Sequence, residues 1–148
     1  MINNFLDKFI TNEYAIYCSV IQEKLLKNSI HWHLDGTFYV VPERFFQLLV
    51  ILIYSKDTDL YIPVCFVLCS SKNKEIYAQI FRDLSVNILH QEAQVERITL
   101  DFESAEIQGI KTVFHQVELL GCKFHLQQAL RRKAKKLGLM GGDLEKRQ

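Results

Sequence analysis

Two aspartates carry the strongest chemical signal in the chain. Asp35 lies in His33-Leu34-Asp35-Gly36-Thr37-Phe38, and Asp101 closes Ile98-Thr99-Leu100-Asp101 ahead of Phe102-Glu103. Each centres or ends an extended run, and the element order derived below sets those runs side by side. Neighbouring carboxylates repel unless a cation lies between them, and hard divalent ions such as Mg²⁺ or Mn²⁺ take oxygen ligands of this kind. A carboxylate at the carboxyl end of a parallel strand also faces the crevice in which α/β sheets bind ligands. Each residue has a plainer alternative. Asp-Gly between hydrophobic residues is a hairpin signal, although Gly36 equally leaves room for close approach to the backbone. Asp101 is placed to cap a helix beginning at Phe102.

Three further patterns bear on chemistry. Cys122-Lys123-Phe124-His125 is a Cys-x-x-His at a strand-to-helix junction. Zinc needs three or four ligands and no second Cys/His pair lies nearby, so a packed thiol beside a capping or hydrogen-bonding histidine is expected. His31-x-His33-x-Asp35 puts three side chains on one strand face. It is similar to the opening of the His-x-His-x-Asp-His metal motif of metallo-β-lactamase-like hydrolases, but Gly36 stands where that motif has its next histidine. Finally, Lys123, Arg131, Arg132, Lys133, Lys135 and Lys136 crowd a predicted helix. Such a cluster is either a solvated face favoured by the negative end of the helix or a set of contacts to a nucleic-acid backbone.

The elements that must position these residues follow from periodicity. Residues 12–27 read as a helix, with Tyr14, Tyr17, Val20 or Ile21, and Leu25 at three- and four-residue steps. Residues 30–41 read as extended up to Pro42, residues 45–54 as a second strand apolar on both faces, and residues 61–69 as a third with Pro63 near its start. Ile76, Ile80, Leu84 and Ile88 then mark an amphipathic helix capped by Ser71 or Asn73. A strand over 97–101, a helix with Ile107, Ile110 and Phe114, a strand over 117–122 and a helix with Leu126, Leu130, Ala134 and Leu137 complete the order, and Gly138 can end the last helix. Three consecutive strands predict an antiparallel meander, and two later strands reached through helical crossovers predict parallel additions to the same sheet. The expected fold is therefore α/β, a mixed sheet flanked by helices. Its organisation is a helical lead-in over 1–29, a core over 30–139 and a loose polar tail over 140–148.

Composition sets the bounds. The chain has 148 residues, enough for one domain with a proper core. With 18 Lys and Arg against 17 Asp and Glu, the net charge of +1 does not by itself announce a nucleic-acid binder. Cys18, Cys65, Cys69 and Cys122 lack a disulfide-framework spacing and read as reduced thiols, which suits an intracellular compartment. Met1-Ile2-Asn3-Asn4-Phe5 has no basic region followed by an apolar stretch, so no secretory signal is expected. The apolar run over 45–54 contains Gln47 and is too short to span a bilayer, so no membrane partner is expected.

Taken together, Asp35-Gly36-Thr37-Phe38, Tyr61-Ile62-Pro63-Val64, Asp101-Phe102-Glu103-Ser104-Ala105 and Gly121-Cys122-Lys123-Phe124-His125-Leu126 resemble, in order and spacing, the catalytic core of Mutator-like element (MULE) transposases. The resemblance implies an RNase H-like fold and metal-dependent DDE chemistry on DNA. Asp35 and Asp101 match the first two metal-binding carboxylates of that family, with Mg²⁺ or Mn²⁺ as the ion. Cys122 and His125 match its signature near the site, and Glu103 is placed for an outer supporting role. The implied partner is DNA at transposon ends, with a homo-oligomer left open, and the implied compartment is the nucleus. The family's third carboxylate is a glutamate on a later helix. Residues 123–139 contain no acidic residue, and Asp143 and Glu145 lie in the glycine-led tail. The expectation is a core that does not transpose DNA alone. The alternatives are a non-catalytic DNA- or protein-interaction module derived from a transposon, and an unrelated small α/β domain in which the aspartates are a turn residue and a cap.

Overall fold

The computed structural model describes residues 9–38 and 40–139. The predicted tail over 140–148, with Asp143 and Glu145, lies outside the described residues. At the centre are three antiparallel strands in succession, β3 (His31–Thr37), β4 (Gln47–Ser55) and β5 (Leu60–Cys69). These are the predicted meander. Strand β6 (Arg97–Leu100) pairs parallel with β3, and β7 (Glu118–Gly121) pairs parallel with β6. Both later strands are thus added in the predicted sense.

The sheet is larger than expected, because the predicted helix over 12–27 is only half a helix. Strands β1 (Phe9–Ile10) and β2 (Tyr14–Tyr17) precede α1 (Val20–Asn28), so the described part of the lead-in is strand and helix together. Tyr14, Ala15 and Ile16 are buried in succession, and β2 lies antiparallel along β5 with Tyr14 opposite Cys69 and Tyr17 opposite Phe66. Pairing there satisfies the otherwise open edge of β5, a tertiary gain that local periodicity does not report. Helix α1 begins where Ser19 and Gln22 form a reciprocal capping box. Its Val20, Ile21 and Leu25, counted toward the apolar stripe, are exposed, and Leu26 is the residue it buries. The seven strands run in the order β1-β2-β5-β4-β3-β6-β7.

Two other boundaries differ from expectation. The strand predicted over 30–41 ends at Thr37, and the Phe45 amide bonds back to the Pro42 carbonyl before β4 starts. Pro63 sits at a register shift between Ile51 and Leu52 of the facing strand, a bulge that tolerates its missing N–H.

Helix α2 (Lys74–Asp83) is capped by Asn73 and runs into a π-helical turn (Leu84–Ile88). Apolar residues spaced by four drift around an α-helix of 3.6 residues per turn, and the wider turn brings both Leu84 and Ile88 into the core. With α3 (Ser104–Lys111), α2 covers one sheet face, packing Tyr77, Ile80, Phe81 and Ile110 against Trp32, Leu34, Leu49, Ile51, Ile98 and Leu100. Trp32 meets the edge of Phe114 at 5.5 Å and donates its indole N–H to the Leu26 carbonyl at 3.2 Å. On the opposite face Leu48, Val50 and Leu52 are half-buried, in alternation with the fully buried positions of β4. The last helix, α4 (Lys123–Lys136), buries none of its side chains, and Gly138 at φ +69° lies just past its end, as predicted.

Candidate carboxylate site

Strand pairing decides where the two aspartates stand. In β3 and β6, His31 is opposite Arg97, Trp32 opposite Ile98 and His33 opposite Thr99. The paired residues end at His33 and Thr99, so Asp35, still within β3, and Asp101, just past the end of β6, each follow the last pair by two positions. Alternation along β3 puts Asp35 on the face of His31 and His33, away from the buried Trp32 and Leu34, and Thr99 shares that face from β6. A contact of 2.8 Å between His31 Nε2 and Thr99 Oγ1 bridges the strands on this face. Asp35 is mid-strand, so the hairpin alternative for Asp35-Gly36 is set aside. Asp101 is not a helix cap either. Its Oδ1 accepts the Phe102 backbone N–H at 2.7 Å, and α3 starts only at Ser104, with Glu103 in the capping position.

Asp35 lines a cavity of about 220 Å³ together with His33, Leu52, Thr99, Cys122, Phe124 and His125. Asp101 does not line it. Burial, aided by the neighbouring His31, pushes the His33 imidazole down to about 4, so it is neutral at physiological pH. Its ring meets Tyr61 edge-on at 4.8 Å and His31 at 4.1 Å. The His31 ring is lowered too, by burial and then by Arg97. The Cys-x-x-His pair reaches the same cavity: Cys122 is a half-buried free thiol at the start of α4, and the buried His125 Nδ1 has no hydrogen-bond partner among the described residues.

Among the described residues no set of three or more His, Cys, Asp or Glu side chains converges as a metal site. It is compatible with Mg²⁺ or Mn²⁺. Magnesium in particular is usually held by one or two carboxylates, with water and phosphate oxygens completing its shell. Asp35 and Asp101 are both exposed and can offer such oxygens.

Behind the aspartates, on the helix-covered face, lies a group of polar side chains that periodicity did not single out. Gln47 and Glu106 are buried at 3% and 5% exposure, and Tyr77 is fully buried. The Tyr77 hydroxyl donates to Gln47 Oε1 at 2.9 Å and lies 3.4 Å from Glu103 Oε1, while Lys72 Nζ pairs with Glu103 Oε2 at 2.8 Å. Burial, then Glu103 and Asp101, raise the Glu106 carboxyl to about 8, and its Oε1 has no partner among the described residues. Two sequence signals point to this group. Gln47 is the polar residue inside an apolar run, and Glu106 lies one helical turn before Ile110 on the inward face of α3.

The basic residues are presented differently. Lys123, Arg131, Arg132, Lys133, Lys135 and Lys136 are all exposed on α4. Of the predicted apolar stripe, Leu126, Leu130 and Leu137 are exposed and Ala134 is half-buried, so the stripe contributes no buried residue to the core.

The fold is an open mixed sheet with helices, and Asp35 and the Cys-x-x-His pair line one cavity on it. The model of the MULE transposase domain matches residues 31–129, and the chain belongs to that family. No curated protein matches it.

Proposed function

We propose that the chain is the RNase H-like core of a MULE-type DNA transposase, with Asp35 and Asp101 as its metal-binding carboxylates. The observation that carries this reading is the parallel pairing of β3 with β6 in a member of this family, with Asp35 and Asp101 each two residues past the last pair, His33 with Thr99. The order β5-β4-β3-β6-β7, three antiparallel strands followed by two parallel ones, supports the RNase H-like assignment. DNA is the substrate, at transposon ends, and action on chromosomal DNA implies nuclear residence.

Asp35 and Asp101 hold Mg²⁺ or Mn²⁺ through their carboxylate oxygens. When bound, such an ion supplies charge stabilisation at the scissile phosphate and favours a nucleophilic water or 3′-hydroxyl. His33, neutral beside Asp35, adds no cationic charge to compete with the ion. Arg131, Arg132, Lys133, Lys135 and Lys136 contact the phosphate backbone and position the duplex without reading its sequence, and Lys123 does the same at the start of α4. Residues 123–139 contain no acidic residue, so the carboxylates of this reading are Asp35 and Asp101. A non-catalytic DNA-interaction module is the second reading, favoured by the exposure of the basic side chains on α4.

Thermal denaturation with and without Mn²⁺ separates the two. The carboxylate reading expects Mn²⁺ to raise the Tm and Asp35→Asn with Asp101→Asn to abolish the rise. An unchanged Tm in the wild-type chain at millimolar Mn²⁺ leaves only the module.

A further inference from the structure

Resting on the carboxylate reading, we infer that Tyr77 is a positioning residue that fixes the spacing of Asp35 and Asp101 from behind the sheet. Two exposed carboxylates on separate backbone segments repel each other, and a cation binds them tightly only if those segments are already held. The segment bearing Asp35 is held through Gly36. Its Cα lies directly under the side-chain amide of Gln47, so that even a methyl group there would overlap Gln47 Nε2. The segment bearing Asp101 is held two residues later, at Glu103.

Tyr77 joins the two. Its hydroxyl donates to Gln47 Oε1 at 2.9 Å and approaches Glu103 Oε1 at 3.4 Å. Lys72 closes the far side, with Nζ 2.8 Å from Glu103 Oε2 and 4.7 Å from the Phe38 ring centroid, just past the end of β3. The brace thus runs Gly36, Gln47, Tyr77, Glu103, Lys72: its two ends abut the Asp35-bearing segment, at Gly36 and Phe38, and Glu103 ties in the Asp101-bearing one. A phenylalanine would fill the same apolar site between sheet and helix without burying a polar atom. The hydroxyl is therefore explained by what it connects, because a buried donor costs free energy unless it is paired. Neither Tyr77 nor Gln47 faces the metal side of the sheet, so neither is a ligand.

The test titrates the full chain with Mn²⁺ alone and follows the free-ion signal by electron paramagnetic resonance, with Tm measured in parallel. Tyr77→Phe keeps the ring and is expected to weaken Mn²⁺ binding roughly tenfold, as loss of an outer supporting contact does at metal sites. Lys72→Gln, at a partly exposed side chain, is expected to weaken it less than Tyr77→Phe does, by releasing Glu103. A merely structural tyrosine would lower the Tm and leave the affinity unchanged. If Asp35→Asn abolishes binding while Tyr77→Phe retains wild-type affinity, the carboxylate reading stands and the brace is overturned. If Tyr77→Phe loses its native circular dichroism, unchanged affinity in Lys72→Gln overturns the brace in its place. Absence of Mn²⁺ uptake by the wild-type chain overturns both.

Discussion

Glu106 is held at the first turn of α3 with its carboxyl almost wholly out of water, raised to about 8 by burial and by Glu103 and Asp101. In the unfolded chain the same group titrates near 4.5. Between those values the folded protein binds the additional proton, so this contribution to stability is complete below pH 4.5 and is lost as pH rises through 8. Glu106→Gln keeps the neutral shape. It is expected to flatten that part of the Tm–pH profile and, at pH 8.5, to exceed wild type by on the order of 3 kcal/mol, with little difference at pH 5. Equal slopes in the two proteins would remove Glu106 as the source. Gly36→Ala makes the opposite prediction at a neighbouring position. The added methyl meets a Gln47 side chain that is buried and bonded to Tyr77, so a destabilisation of about 1–3 kcal/mol is expected in urea unfolding. At this scale the sequence was partly legible. The placement of Asp35 within a strand and of Asp101 at the end of one was legible from the sequence pattern. Glu106 and Tyr77 were not legible in this way, because the significance of a buried polar group depends on which other buried polar groups it meets, and that is fixed by the packing of α2 against α3.

Elements were legible where one face is buried and the period is long. The helix with Ile76 and Ile80, the two apolar strands of the meander and both parallel strands were read correctly for that reason. The segment over 12–27 was misread because its apolar residues satisfy a helical spacing by type alone. Pairing of β2 with the edge of β5 outweighs the weak local preference, and only Ser19 with Gln22 marks where the helix truly begins. Helix α4 shows the reverse case. Its amphipathic pattern is real, but Leu126, Leu130 and its basic residues are exposed. For the basic side, neutralising Arg131, Arg132 and Lys133 together is expected to reduce the steepness of log K against log salt for duplex DNA by about 2.7, at roughly 0.9 per phosphate contact. Affinity should fall alike on unrelated DNA sequences, because such contacts position rather than specify. A salt slope that does not change would place the DNA elsewhere.

Among the described residues a seven-stranded sheet has its hydrophobic core against α2 and α3, with Asp35, the Cys-x-x-His pair and the start of α4 around a cavity on the other face. The meander and the two parallel additions were legible from element order because crossover connections restrict topology strongly. The added pair of edge strands was not, since it depends on contacts distant in sequence. One consequence concerns folding units. A helix of 14 residues with no buried side chain draws little from tertiary packing, and isolated helices of that length are marginal in water. Amide hydrogens along α4 should therefore exchange with deuterium orders of magnitude faster than those of β3 and β4, and trypsin should clip at Arg131 or Arg132 while the sheet stays intact. Adding duplex DNA should slow both processes. In that event the nucleic acid itself completes the last helix, and part of the binding free energy is spent on ordering it.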